Sequence, residues 1–524
     1  MAVKLILLLV FFSSMVGIGL YCRKTAADVS GFVLGGRSVG PWLTAFAYGT
    51  SYFSAVVFVG YAGQFGWKYG IAATWAGIGN AILGSLLAWV VLGRRTRIMT
   101  QHLDSATMPE FFGKRFGSRS LKISASIIIF IFLIPYTASL YNGLSRLFGM
   151  AFDIDYAVCV VVMAVLTGVY VIAGGYMATA INDFIQGIIM LFGICAVIGA
   201  VLRSQGGFLE ALTRLAQVPN ETASGPVAGA PGVFASFFGP DPVNLLGVVI
   251  LTSLGTWGLP QMVQKFYAIK SEKSINTGTV ISTLFALVVS GGCYFLGGFG
   301  RLFSGVVGVT EAGTPVGGFD AVIPAMLSGL PDLLIAVVVI LVLSASMSTL
   351  SSLVLTSSST LTLDLLKGHV VKDMDEKKQV FIMRCLIVVF IAISVVLAII
   401  QYRSSVTFIA QLMGVSWGAL AGAFLAPFLY GLYWKGVTKA ACWTSFIFST
   451  VVMLADISPL KAHFPALLVS PINCGAFCMI AGLILVPVVS LLTPKPSQKL
   501  VEDAFSCYEE KVLVSQRQAL GEKN

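Results

Sequence analysis

Apolar runs of helix length recur along the whole chain, at 3–21, 41–66, 71–93, 123–148, 156–173, 185–202, 242–264, 276–300, 334–364, 380–401, 406–433, 440–456 and 466–492. A helix rises about 1.5 Å per residue, so about twenty apolar residues cross the hydrocarbon of a bilayer. The runs are too long for barrel strands. They predict an all-α polytopic membrane protein of about 13 transmembrane helices. Val3–Tyr21 could be the apolar core of a signal peptide. Arg23 and Lys24 follow it, however, and the run is longer than such cores usually are, so it is read as a retained first span.

Polar positions inside the runs carry the next signal. The second run reads AYGTSYFSAVVFVGYAG, and Gly49, Thr50, Ser51 and Ser54 interrupt it near the middle. The seventh reads LLGVVILTSLGTWGLPQ, with Gly255, Gly258 and Pro260 where a helix should be continuous. Proline removes a backbone hydrogen bond and glycine lowers helix propensity. Each interruption alone could be an ordinary kink. Together they lie five spans apart, an odd number, so two successive five-span units must lie in opposite orientations. Interrupted helices at matching positions of inverted repeats point to the central site of a secondary transporter.

The ninth run is different. Leu341–Leu365 is long enough to cross a bilayer yet is full of hydroxyls. Ala345, Ser348 and Thr349 stand at i, i+3 and i+4 and share one helix face. Hydroxyls in hydrocarbon serve either close helix packing or a site for a hard cation, which takes oxygen ligands. The run alone leaves both open.

Composition agrees with a membrane class. Hydrophobic residues make up 57% and charged residues 11%, against about 25% charged in soluble domains. Mean hydropathy is +0.90. The net charge of +10 is no sign of nucleic-acid binding, because basic residues orient membrane loops. With the N-terminus outside, the inner segments hold 25 of the 33 Lys and Arg and the outer ones 8. That bias predicts a multi-pass plasma (inner) membrane protein with its C-terminus in the cytoplasm. Nine Cys and three His show no ligand spacing. No transition-metal, redox or catalytic centre is implied, and an enzyme is not expected. The outer segments Gly206–Pro242 and Phe303–Pro331 read as Gly- and Pro-rich loops, the second with room for a short helix.

Five short motifs then bring in a family. They are Gly35-Gly36-Arg37-Ser38-Val39-Gly40-Pro41, Gly174-Gly175-Tyr176-Met177-Ala178 followed by Asn182-Asp183 and Gln186, Pro260 with the basic segment to Lys273, Met347-Ser348-Thr349-Leu350-Ser351, and Gly431-Leu432-Tyr433-Trp434-Lys435. In this order they resemble the sodium:solute symporters, the group of the proline, pantothenate and sugar symporters. Tyr176 departs from the family's usual Leu, Met or Phe. The resemblance runs from Gly35 to about Ala441. It implies a leucine-transporter-like 5+5 inverted repeat with broken first and sixth core helices. The chain would divide into a first helix and inner loop (1–40), a first repeat (41–202), an outer loop (203–241), a second repeat (242–433), two further helices (434–494) and a cytoplasmic tail (495–524).

The resemblance also implies a sodium site, with Na⁺ as coupling ion. Thr50, Phe53 and Ala345 would offer carbonyls, and Ser348 and Thr349 hydroxyls. Unwound carbonyls can coordinate a cation at membrane depth. The other serines of the run (344, 346, 351, 352 and 357–359) keep the packing reading. Asp183 is either a solvated carboxylate near a helix start or, as the family implies, part of the ion's inner passage. Arg37 is implicated in coupling by the family, although a snorkelling arginine would explain it as well.

The solute would sit beside the ion, with Tyr52, Ser54, Val56, Tyr136, Thr137, Thr252, Thr256 and Trp257 as candidate liners. The proline branch has Asp at the position of Tyr52, Trp at that of Val56, and bulky aromatics near Thr252 and Thr256. Tyr52, Gly258-Leu259-Pro260 and Gly300-Arg301 resemble the pantothenate branch instead. No basic side chain is evident in the pocket. The expectation is a sodium-coupled symporter importing a small organic solute by alternating access, an amino acid (proline-like) or another small carboxylate. A pantothenate-type vitamin symporter is the alternative, as is a non-transporting sensor, which would normally carry an output domain that the tail does not offer. A proton-coupled carrier would favour a titratable group at mid-membrane, where none is expected. A channel fits the paired breaks less well than a carrier. The partners are Na⁺, solute and lipid, without nucleic acid; the oligomeric state is not legible.

Overall fold

The structure, a computed structural model, describes residues 2–508 apart from 153–154, 220, 223–224, 227–231, 312, 368–369, 372–373 and 405–408. The start of the run at 406–433 and the tail beyond 508 therefore lie outside the described residues. Over the described residues, each of the thirteen apolar runs lies mainly on helix. Among the described residues, nine helices are long and apolar enough to cross a membrane. Pro242–Gly258 with Pro260–Ala268, bent by 45°, makes a tenth as one span. One antiparallel ladder, Glu221–Thr222 with Gly225–Pro226, interrupts the helical architecture.

Two helices are double length. Tyr156–Ser204 has 49 residues, about 74 Å at 1.5 Å per residue, against about 30 Å of hydrocarbon. It turns at Gly175, where φ is 55° and ψ −147°. A side chain is strained there, and only glycine takes the position readily. The segment 174–184, expected as a loop, is helical on both sides of that turn, because Met177–Gln186 holds no breaker. Asn182, Asp183 and Gln186 are therefore buried helical residues. Val56–His102 has 47 residues and turns at Gly70, where φ is 61°. A Cβ on Gly70 would stand 2.1 Å from the Phe234 carbonyl.

Both expected interruptions are present. The Pro41–Tyr52 helix ends at Phe53, which is extended (φ −87°, ψ 124°), and helix resumes after Ser54. Pro242–Gly258 ends at Leu259, also extended (φ −78°, ψ 123°), before Pro260 restarts it. A strand-like contact pins the start of one broken helix to the end of the other: Val39 N–H donates to the Ala268 carbonyl (3.3 Å) and Lys270 N–H to that of Val39 (2.9 Å).

The Asp332–Thr360 helix runs through the interior, buried on all sides from Leu341 to Thr360. Elsewhere helices pack closely through small residues; a Cβ on Gly66 would lie 1.9 Å from the Gly297 carbonyl. Outward faces stay apolar, as with Val158, Val161, Val165 and Val169 along one helix. This is the surface of a helix facing lipid. The segment at 206–242 differs from the expected loop. Phe208–Ala216 is a helix with Ala211 and Leu215 buried at i, i+4, since its Pro residues begin only at 219.

Substituting Gly175→Ala should lower stability by about 1–3 kcal/mol, the cost of holding a side chain in that backbone region. Thermal melting in detergent measures this, and unchanged melting would show that the turn tolerates a Cβ.

Candidate cation and solute site

The Phe53 break opens directly onto the buried serine-rich helix. Ser348 Oγ lies 3.1 Å from the Thr50 carbonyl and 3.0 Å from that of Ala345. Thr349 Oγ1 lies 3.2 Å from Thr50 O, 3.3 Å from Phe53 O and 3.1 Å from Ala345 O. The five residues expected as cation ligands are thus brought together by two segments about 300 positions apart. Three carbonyls and two hydroxyls converge; the Ala345 carbonyl also serves its own unbroken helix, and beyond that the two hydroxyls supply the hydrogens. Lone pairs exceed donors, an arrangement that suits a hard cation. All five residues are buried.

Next to this cluster lies an aromatic group. Tyr52 and Tyr136 both meet the indole of Trp417, with ring centroids 5.7 and 5.9 Å away. Tyr61 and Tyr294 stand within electrostatic reach of Tyr52. The hydroxyls of Tyr52, Tyr61, Tyr136 and Tyr294 and the Trp417 Nε1 are all buried and make no hydrogen bond within the protein. Buried polar groups are almost always paired, which makes this set a candidate lining for a small polar solute; Tyr136 lies beside Trp417 and Ser54, and Tyr52 beside Ser290 and Tyr294. Ser54 Oγ accepts from the Val56 N–H (3.2 Å) and caps the resumed helix. Val56 is buried at its start.

Four other expected liners are spent elsewhere. Thr256 donates to the Gly84 carbonyl (2.8 Å) and Trp257 Nε1 to that of Leu83 (2.8 Å), tying the broken helix to its neighbour. Thr252 donates to Val248 O in its own helix, as Thr137 does to Leu133 O, though Thr252 lies beside the Tyr52 hydroxyl.

Comparison with known proteins supplies the family. The sodium:solute symporter family model matches residues 32–448. The sodium/proline symporter of Staphylococcus aureus (strain JH9) is 29% identical over 529 residues, covering 94% of this chain and 93% of that protein; the same holds for strain NCTC 8325 / PS 47. A Na⁺-coupled sialic acid symporter in a substrate-bound outward-open state shares the fold, with TM-score 0.72, 17% identity, and 94% of this chain and 99% of that chain covered. A nucleobase-cation-symport-1 family transporter in a closed conformation aligns with TM-score 0.51, 14% identity, and coverage of 90% and 97%. The chain belongs to the sodium:solute symporter family. Its work is sodium-coupled transport of a small organic solute, not catalysis.

The symporter's two charged candidates differ from what their sequence context suggests. Asp183 is neither solvated nor a helix cap. It is fully buried, with its carboxylate 3.8 Å from the Lys265 ammonium. Lys265 is itself only 2% exposed, so this symporter does hold buried titratable groups near the five-oxygen cluster, contrary to expectation. Arg37 does not snorkel. Its guanidinium donates to the Tyr267, Thr100 and Ser105 carbonyls at 3.1, 3.3 and 2.6 Å, joining three segments at one end of the molecule. Its φ of 53° is unusual for a residue other than glycine.

Trp417, Ser352 and Lys265 escaped sequence reading. Trp417 looks like any core aromatic. Ser352, assigned to packing, shares a hydrogen bond with Ser51 (2.7 Å) and accepts one from Lys265 Nζ (3.0 Å). Lys265 sits near the end of an apolar run and counts there as an inner-loop charge. Thr256→Val should lower stability by about 1 kcal/mol through its lost hydrogen bond and leave solute half-saturation unchanged. Trp417→Phe should raise that half-saturation several-fold, about 1 kcal/mol of lost ring contact. Melting curves and uptake kinetics on both variants separate the two roles.

Proposed function

We propose that this symporter imports a small amino acid, proline-like in size, or another small carboxylate, with Na⁺ held by Thr50, Phe53, Ala345, Ser348 and Thr349. The carrying observation is the cluster of five oxygens with only two hydrogens to share. The solute lies against Tyr52, Ser54, Val56, Tyr136, Thr252 and Trp417; Thr256 and Trp257 frame the pocket from behind. Similarity to the sodium/proline symporters supports an amino-acid substrate. A carboxylate would be met by hydroxyls, the indole N–H and backbone N–H groups at the helix breaks.

Thirteen crossings follow if the two double-length helices turn once each, at Gly70 and Gly175, and if Lys439–Asp456 crosses as well. The units 41–202 and 242–433 then form an inverted pair, each opening on a broken helix. The N-terminus lies outside and the C-terminus in the cytoplasm of the plasma membrane, consistent with the basic bias of the inner segments. Na⁺ entering from outside binds the serine helix to the first broken helix and completes the solute pocket. Solute tightens Na⁺ in return. Arg37 closes the cytoplasmic end in this state, and Asp183 stands on the ion's way inward. One charge crossing 100 mV supplies about 2.3 kcal/mol, close to a fiftyfold accumulation of solute.

The test is uptake into proteoliposomes with and without an inward sodium gradient, over proline, other amino acids, pantothenate and short monocarboxylates. Ser348→Ala with Thr349→Ala should raise the sodium half-saturation at least about tenfold, since bonds to a charged group are worth about 1.5–3 kcal/mol each. Intact sodium dependence in that variant would refute the site. Binding without uptake of any solute would favour a sensor.

A further inference from the structure

A cavity of 830 Å³ lies between the Ala62–Tyr69 helix and the start of the Pro242–Gly258 helix, with Gln64, Phe65, Lys68, Asp241, Arg301 and Lys461 among its walls. Its charges are unevenly matched. Lys461 Nζ lies 3.5 Å from the Asp456 carboxylate, and Lys68 stands within electrostatic reach of Asp241. Arg301 differs. Its Nε donates to the Trp67 carbonyl (2.6 Å), and its guanidinium lies 3.9 Å from the centre of the Phe234 ring. Among the described residues no carboxylate stands against it. A carbonyl and a ring fix the group in place but leave its charge without an anion, which is costly for a half-buried cation.

A second group in the same wall also lacks a partner. Gln64 is only 3% exposed, and its side-chain carbonyl oxygen makes no hydrogen bond. Such buried groups are almost always paired. A ligand that answers both residues brings a carboxylate to the guanidinium and an N–H or O–H to the amide oxygen. That is the chemistry of a small amino or hydroxy acid.

The cavity also adjoins the aromatic pocket. Tyr61, Gln64, Phe65 and Lys68 follow one another at helical spacing, so one helix face leads from the pocket to the cavity. The Phe65 ring meets those of Tyr61 and Tyr294, with centroids 4.9 and 6.4 Å away. It therefore stands between the cavity and two of the tyrosines whose hydroxyls lack partners.

We propose that Arg301 and Gln64 form an outer entry site, where a small amino or hydroxy acid is captured by its carboxylate and its hydrogen-bond donor before it passes Phe65 into the aromatic pocket. This rests on the orientation and the solute pocket proposed above. The entry site speeds loading without adding to the final affinity, because the solute leaves it on reaching the pocket.

Initial sodium-driven uptake of radiolabelled L-proline and L-lactate into proteoliposomes tests this. Wild type should take up at least one of them. For that solute, Arg301→Gln should lower uptake far below half-saturation about tenfold, the low end of electrostatic effects on association, while saturated uptake and equilibrium binding to the purified protein change by less than about twofold. Raising choline chloride at fixed Na⁺ should slow wild-type uptake of dilute solute and leave that of the variant unchanged. Arg301→Lys should keep most of the capture rate. Lys461→Gln removes an equal charge that Asp456 already pairs, and should have little effect. Should Arg301→Gln fail to fold, Gln64→Glu carries the test, since its carboxylate would take the solute's place beside Arg301 and give the same loss. Undiminished uptake of dilute solute in a folded Arg301→Gln, or in Gln64→Glu, overturns the entry site, as does an equal loss in Lys461→Gln. A fall in equilibrium affinity that matches the fall in uptake also overturns it, because Arg301 would then belong to final binding. Uptake of neither acid by wild type removes the solute reading and this proposal with it.

Discussion

Backbone groups in hydrocarbon have no water to bind, and an unpaired carbonyl there costs several kcal/mol. The break at Phe53 breaches that rule at the centre of this symporter. Helix hydrogen bonding stops at Tyr52, and the carbonyls of Thr50 and Phe53 turn outward from their own helix. They are met by Ser348 and Thr349. Much of the architecture serves this encounter. The Asp332–Thr360 helix is enclosed on all sides, which keeps water from relieving the carbonyls. Close approach at glycine, as of Gly193 to Leu341, keeps a neighbouring helix tight against it. Two hydroxyl hydrogens leave lone pairs over, which is the ground for proposing a cation here.

The same economy links ion and solute. Tyr52 and Ser54 flank Phe53 in the chain, so whatever orders the break also sets the position of two pocket residues. Under the proposed assignment, whatever Na⁺ does to the affinity for solute, solute does equally to that for Na⁺. The second break, at Leu259, is tied to the first through the Val39 and Ala268–Lys270 backbone contacts. Lys265 lies between these two junctions. Ser51, Ser352, Lys265 and Asp183 form one polar line from the ion cluster into the half-helix beyond Leu259.

Much of this was legible in the chain. Both breaks lie where Gly49–Ser54 and Gly258–Pro260 interrupt the apolar pattern, because helix propensity is a local property. Three of the five oxygen donors, Ala345, Ser348 and Thr349, share a spacing that one helix face carries, and the other two, Thr50 and Phe53, lie at the first break. Other assignments failed for a common reason. Asp183 and Lys265 were placed by their distance from the ends of apolar runs, and a run's end does not mark the end of a helix. Met177–Gln186 continues as helix after the Gly175 turn and carries Asp183 inward. Thr256, Trp257 and Trp417 lie on helices that are apolar or small all round, so pattern does not reveal which way each side chain faces.

The sequence by itself determined the class, the positions of the breaks and the identity of the hydroxyl-bearing helix. These depend on hydrophobicity and backbone propensity, which act over a few residues. Tertiary structure alone decided which polar atoms meet. A helix buried on every side has no amphipathic stripe to set its rotation. That rotation comes from ridges, glycine contacts and hydrogen bonds to chain hundreds of residues away. It turned Trp417 toward Tyr52 and Tyr136, gave Thr256 to Gly84, and brought a lysine from the edge of an apolar run against a buried aspartate.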